Sequence, residues 1–198
     1  MPLTTQQRYK RLLRFERNIL RAFNTATPAM LVDGKNWYAS AQASLLAIGE
    51  QYGVTNVYTL AAICAVLSPR QQWSSNLKSV RAVLRAKDSI VPPICAGFNT
   101  NIDKSWRIAK GELGTESVSG PKVSSFYWNL CGDMQRVTID VWACYAAGVT
   151  DPKELGHLDR QYRYEDLTKA YQRVANGLGF EPAELQAIVW IAVRGKGE

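Results

Sequence analysis

The sequence predicts an all-α fold, and three observations carry that reading. Apolar residues recur at helical spacing in one segment after another, and alternating strand patterns are almost absent. Glycine and proline punctuate the ends of the apolar runs, where helices stop and start. With 198 residues, 46% of them hydrophobic and 21% charged, the chain has enough apolar side chains for a real core in one compact domain or two small lobes.

The elements follow in order. Thr4 or Thr5 can cap a long amphipathic helix over Gln6–Phe23, heavily basic on its outer face. GKNWYASAQASLLAIGEQYG reads as a helix closed by Gly53, and TNVYTLAAICAVL as a buried helix capped by Thr55. In QQWSSNLKSVRAVLRA the apolar residues Trp73, Leu77, Val80 and Leu84 advance by four, three and four, a single helical stripe. A looser region from Asp88 to Asn101, with Pro92, Pro93 and Gly97, is the expected lobe boundary or crossover. A short helix over KSWRIAKGEL then leads into a Gly/Thr/Ser-rich turn, GTESVSG. Pro121 fits the first turn of the next helix, where its missing N–H costs nothing. Val123, Phe126, Tyr127 and Leu130 mark one face of that helix, and Gly132 ends it. Thr138–Ala147 is expected to be helical up to Gly148, followed by YEDLTKAYQRVANGL and by PAELQAIVWIAV, which Pro182 opens. There is no internal repeat and no low-complexity tract.

Lys+Arg outnumber Asp+Glu 24 to 17, giving a net charge of +7 and a pI near 9.3, a balance that favours a polyanionic partner without identifying it. No segment approaches the roughly 20 uninterrupted apolar residues of a membrane span. The basic, polar N-terminus lacks the apolar run of a signal peptide. The expectation is a cytoplasmic protein, nuclear in a eukaryote, not secreted and with no membrane partner. Cys64, Cys95, Cys131 and Cys144 show no C-x-x-C spacing and read as reduced core residues. His157, in a Gly-His-Leu-Asp context, reads as a loop residue and cannot anchor a metal by itself, so no metal and no cofactor are expected.

Chemistry concentrates in GPKVSSFYWNLCGDMQRVTID, where Lys122 stands at the mouth of one apolar helix and Asp140, eighteen residues later, at the mouth of the next. A short reversal between two helices would bring amine and carboxylate to one groove. Cleavage of an N-glycosidic bond builds positive charge on the sugar, which a carboxylate stabilises, while an unprotonated amine can attack the anomeric carbon. A lysine amine ordinarily titrates near 10.4, so it needs desolvation or cationic neighbours to become nucleophilic. The plain alternative is that Lys122 is one of 24 basic residues and Asp140 a helix cap.

This stretch, with AAICAVLSPRQQWSSNLKSVRAVL upstream and PAELQAIVWIAVRG downstream, resembles the helix-hairpin-helix DNA glycosylase superfamily, the endonuclease III and 8-oxoguanine glycosylase group. The likeness spans about Thr55 to Gly195. It implies a two-lobed helical bundle with DNA and the base site in the cleft between lobes. The implied function is a monomeric DNA glycosylase with AP-lyase activity on double-stranded DNA. Lys122 would be the Schiff-base nucleophile and Asp140 the essential carboxylate. Ser119 and Gly120 would contact DNA, although the hairpin keeps one glycine and places Val118 where the family usually has another. Arg70 and Gln71 occupy the turn where family members fill the gap left by a flipped base. The C-terminus has no four-cysteine loop, so no iron–sulfur cluster is implied.

A glycosylase must hold its extruded base between flat or apolar side chains. Trp37, Tyr38, Trp73, Phe126 and Trp142 are the candidates, with Tyr127 and Trp128 nearby in sequence. The sequence also leaves open a base-remodelling enzyme of the same fold acting on hypermodified, for instance viral, DNA. A non-catalytic helix-hairpin-helix DNA-binding protein and an all-α scaffold remain as well.

Overall fold

The computed structural model describes residues 4–151 and 161–195. Thr4 opens the first helix, α1 (Thr5–Phe23), by a reciprocal cap: its hydroxyl accepts from the Gln7 N–H, and the Gln7 side chain accepts from the Thr4 N–H. α2 (Pro28–Glu50) begins six residues before the expected start at Gly34, because Pro28 can take a first helical position and the Thr27 hydroxyl accepts from the Met30 N–H. α3 (Val57–Leu67) is capped by Asn56, not Thr55: the Asn56 side-chain oxygen accepts from both Tyr58 and Thr59 N–H groups. α4 spans Trp73–Arg85 and α5 spans Asn99–Ala109. The polar residues Asn99, Thr100 and Asn101 thus form a helical first turn ahead of the expected start at Lys104.

A 3-10 turn at Thr115–Ser117 leads to α6 (Pro121–Leu130), with Pro121 in its first turn. α7 is Val141–Ala146, shorter than the expected Thr138–Ala147, because Asp140 caps it and Thr138 and Ile139 precede it as buried, non-helical chain. α8 (Gln161–Leu178) and α9 (Pro182–Arg194) complete the described elements. No strand occurs among the described residues, so the fold is all-α.

The chain divides into two compact units, Met1–Trp37 with Asp133–Gly197, and Tyr38–Gly132. Of the two expectations for Asp88–Asn101, lobe boundary or crossover, the structure has the second: the stretch lies inside the second unit and crosses from α4 to α5. Its backbone is held to α4 and the turn before it because the Ala96 carbonyl accepts from the Ser79 hydroxyl (3.1 Å) and the Gln71 amide (2.6 Å).

In the first unit α1 packs on α8 and α9, and α7 packs on α9. Phe15 and Ile19 of α1, Leu167 and Tyr171 of α8 and Leu185 and Val189 of α9 share its core. Asp166 fastens α8 to α1 by ion pairs to Arg8 and Arg11. Gly34 marks a close approach of α2 to α9, since a Cβ there would stand 2.5 Å from Ile188 Cα and 2.6 Å from Ile188 N. A backbone cannot swing aside as a side chain can. Gly34→Ala is therefore expected to destabilise by about 1 kcal/mol or more net, the overpacking cost exceeding the helix-propensity gain of up to about 1 kcal/mol. A urea midpoint that drops at constant m is the expected reading, and an unchanged midpoint would refute the contact.

The second unit is built around α3, in which every residue from Leu60 to Leu67 is buried. It packs against α4, α5 and α6. A helix buried on all sides must find partners for its last carbonyls. The Asn76 amide of α4 donates to the Cys64 carbonyl (3.1 Å), and the Ser68 hydroxyl donates to the Ala65 carbonyl (2.8 Å). The buried side of α4 therefore includes Asn76 and Ser79 beside Val80, Val83 and Leu84, while Trp73 and Leu77 are only half-buried.

All four cysteines are free; Cys64 and Cys144 are buried as expected. Cys95 and Cys131 are half-buried, one on the irregular crossover and the other as the cap ending α6. Among the described residues no helix is long and apolar enough to cross a membrane.

Candidate functional site

Lys122 is the second residue of α6, and the turn into that helix is made by Gly120 at φ +89°. Only glycine adopts that conformation without strain. Val118, by contrast, sits at φ −61°, ψ 120°, so the position where a second glycine was expected has no left-handed backbone to serve. Ser119 and Gly120 are both exposed. The Lys104 ammonium of α5 donates to the Ser117 carbonyl (2.9 Å), fixing the 3-10 turn ahead of them.

The Lys122 side chain is half-buried, and its amine donates to the Ser68 hydroxyl oxygen at 2.8 Å. The amine also lies 5.3 Å from the centre of the Phe126 ring, one helical turn along α6. Beneath it the Cys64 thiol is pushed up to about 12 by burial, against the opposing pull of the Lys122 charge, so the sulfur is a neutral thiol at pH 7.

The turn between α3 and α4 carries Arg70 and Gln71. Arg70 has φ +59°, the only described non-glycine residue at positive φ, and its exposed guanidinium lies 5.7 Å from the Phe98 ring centre. Gln71 is occupied at both ends, donating to the Ala96 carbonyl and accepting from the Ser75 hydroxyl at 3.0 Å. Of the two, Arg70 has the side chain directed to solvent.

In the first unit, Asp140 caps α7 with its carboxylate accepting from the Ala143 N–H at 2.8 Å. Two tyrosines of α8 hold the surrounding backbone. The Tyr164 hydroxyl accepts from the Ile139 N–H (3.0 Å) and donates to the Val137 carbonyl (2.7 Å). The Tyr171 hydroxyl donates to the Ala143 carbonyl (3.0 Å). Burial, with the Asp140 charge adding to it, pushes the Tyr171 phenol well up, and the same two causes push the Cys144 thiol up to about 12. Both Tyr171 and Cys144 therefore stay neutral beside Asp140 at physiological pH.

The aromatic candidates distribute between the units. Trp37, in the first, is half-buried and edge-on to Trp190 at 6.0 Å, and Trp142 is half-buried and edge-on to Tyr145 at 5.7 Å. In the second, Tyr38 and Phe126 are buried with ring centres 6.4 Å apart, and Trp73 is half-buried at the start of α4. Tyr127 is buried, whereas its ring neighbour Trp128 is exposed. Among the described residues no group of three or more His, Cys, Asp or Glu side chains is placed to hold a metal ion. His157 lies outside the described residues.

The model of DUF7178, a family of unknown function, matches residues 1–197. The chain belongs to that family. No curated protein and no solved structure matches it.

The DUF7178 chain thus has structural groups around Lys122 and Asp140 to which sequence reasoning assigned no role: Ser68, Asn76, Tyr164 and Tyr171. Signals for them exist. Ser68 closes an unbroken apolar run, the place of a helix C-cap, and Asn76 falls three residues after Trp73 on the inward side. Tyr164 and Tyr171 are seven residues apart, hence on one face of α8.

Proposed function

We propose that this protein is a helix-hairpin-helix type DNA glycosylase with AP-lyase activity, acting on double-stranded DNA that carries a damaged or modified base. Lys122 is the amine nucleophile and Asp140 the carboxylate that stabilises positive charge on the sugar. The observation that carries the reading is the fixed amine of Lys122, held by a buried hydroxyl at the opening of a helix that follows an exposed glycine turn.

The chemistry balances without a cofactor. The neutral amine's lone pair forms a bond to the anomeric carbon, and the carbon–nitrogen bond to the base breaks, its electron pair leaving with the base, which takes a proton. Loss of the amine proton and opening of the sugar ring give an imine, protonated at nitrogen, which activates the neighbouring position for elimination of the 3′ phosphate. A carboxylate is suited to the developing sugar cation because it is charged before the reaction begins and need not reorganise. The test is incubation with a panel of modified-base duplexes under borohydride. At least one duplex is expected to give a covalent adduct, and a panel with no adduct, abasic duplex included, would rule out the amine chemistry.

Charge supports a polyanionic partner. On α1, Arg8 and Arg11 are committed to Asp166, whereas Lys10, Arg14, Arg17 and Arg21 are exposed. Lys78 and Arg85 are exposed on α4. If about four to six phosphates are contacted, log K should fall against log salt with a slope of roughly −4 to −5. A flat salt response would exclude this mode of binding.

One observation favours a second reading, a DNA-binding protein without chemistry: the Asp140 carboxylate is already used as the cap of α7.

A further inference from the structure

Ser68 has no part in the chemistry proposed above, yet its hydroxyl oxygen accepts from the Lys122 amine. A hydroxyl has a single proton, and that of Ser68 is committed to the Ala65 carbonyl at 2.8 Å. Towards Lys122 the Ser68 oxygen therefore presents only a lone pair, and the amine must be the donor at 2.8 Å. An ammonium and a neutral amine both satisfy that arrangement, since each has an N–H to give. The contact thus persists when the lysine loses its proton, and the lone pair created by that loss cannot point at Ser68.

The acceptor is itself immobile. Ser68 caps the C-terminus of α3, its own N–H bonds the Ala65 carbonyl at 3.2 Å, and the residue is buried. The end of α3 is tied on two further sides, by Asn76 of α4 on the Cys64 carbonyl (3.1 Å) and by Ser105 of α5 on the Ile63 carbonyl (3.3 Å). Phe126 limits the amine on another side, 5.3 Å away. A lysine stem has four rotatable bonds and loses much rotamer freedom when held in one place. Here that ordering precedes any encounter with substrate, and orientation before reaction is one of the larger sources of rate acceleration.

We propose that Ser68 is the positioning residue of Lys122, fixing the amine nitrogen so that its lone pair, once the proton has left, is aimed at substrate. The proposal rests on Lys122 being the nucleophile, and the experiment separates the two. Ser68→Ala and Ser68→Thr are compared with wild type in single-turnover borohydride trapping on an abasic-site duplex, with the slow rate of Lys122→Gln subtracted as the background of the other amines. Ser68→Ala should lower the trapping rate at saturating duplex on the order of 10-fold to 100-fold while leaving the half-saturating concentration unchanged. Ser68→Thr, which keeps the hydroxyl, should recover most of the rate. A wild-type rate in Ser68→Ala, or an equal loss in both variants, overturns the proposal.

A second measurement needs neither DNA nor a folded alanine variant. In wild-type protein with 15N-labelled lysine, the side-chain signal that disappears in Lys122→Gln should show proton exchange slower than that of the exposed lysines. Exchange as fast as theirs overturns the positioning role whatever the trapping result. Slow exchange in a protein that traps no duplex would leave Ser68 holding the amine and remove the glycosylase reading instead.

Discussion

On a duplex whose modified base is still attached, wild-type protein is expected to form a borohydride-stable adduct, and Lys122→Gln is expected to form none. Glutamine retains a polar end with N–H donors that can address Ser68, so the helix opening at Gly120 and Pro121 should persist, but an amide nitrogen has no lone pair available for attack. Base release should fall by orders of magnitude, because the interaction removed exists only as the new bond forms. The duplex must carry its base at the start, since any accessible lysine or the terminal amine traps a pre-formed abasic site slowly. With ten lysines in the chain, that background is expected. Gel-resolved adduct and released base, measured together, divide the outcomes. Loss of both in a folded, DNA-binding variant places the chemistry on Lys122. Base release that continues at the wild-type rate without an adduct makes water the nucleophile and the enzyme monofunctional.

The helical architecture was legible because period dominates where helices bury a face, as in the Val123, Phe126, Tyr127 and Leu130 face of α6, of which Phe126, Tyr127 and Leu130 are buried. Boundaries were less legible because they depend on which of two neighbouring polar residues reaches a free N–H. Asn56 displaces Thr55 as a cap through a side-chain oxygen that serves two donors, and Asn99 to Asn101 turn helical although their polarity reads as loop. Proline and glycine at Pro92, Pro93 and Gly97 report local irregularity, here the crossover from α4 to α5, whereas the boundaries between the units carry no such signal, one falling within a helix between Trp37 and Tyr38 and the other after Gly132. Lys122 and Asp140 were visible as residues at helix openings. Local pattern places Ser68 at a helix end and Tyr164 and Tyr171 on one helix face, but it does not give their distant partners, such as Lys122, 54 residues from Ser68.

Asp140→Asn is expected to leave the fold and DNA binding intact while lowering turnover on the order of 100-fold or more. Asparagine and aspartate are about equally good at a helix N-cap, and the Asn side-chain oxygen can still accept from the Ala143 N–H. The hydrogen bonds of Tyr164 to Val137 and Ile139, and of Tyr171 to Ala143, do not involve the carboxylate and should hold the same backbone in the variant. Stability should therefore change little, and affinity for a polyanion should be equal or tighter once a negative charge is gone. What asparagine cannot supply is a full charge opposite a sugar cation. Asp140→Ala completes the comparison, because it removes cap and charge together and should lower stability by about 1 kcal/mol. If the carboxylate serves only α7, the asparagine variant will match wild type in melting temperature and in turnover of a confirmed substrate, and only the alanine variant will be impaired, through stability. If it serves the chemistry, both variants lose turnover, and the asparagine variant loses it without losing stability, a separation that capping does not produce.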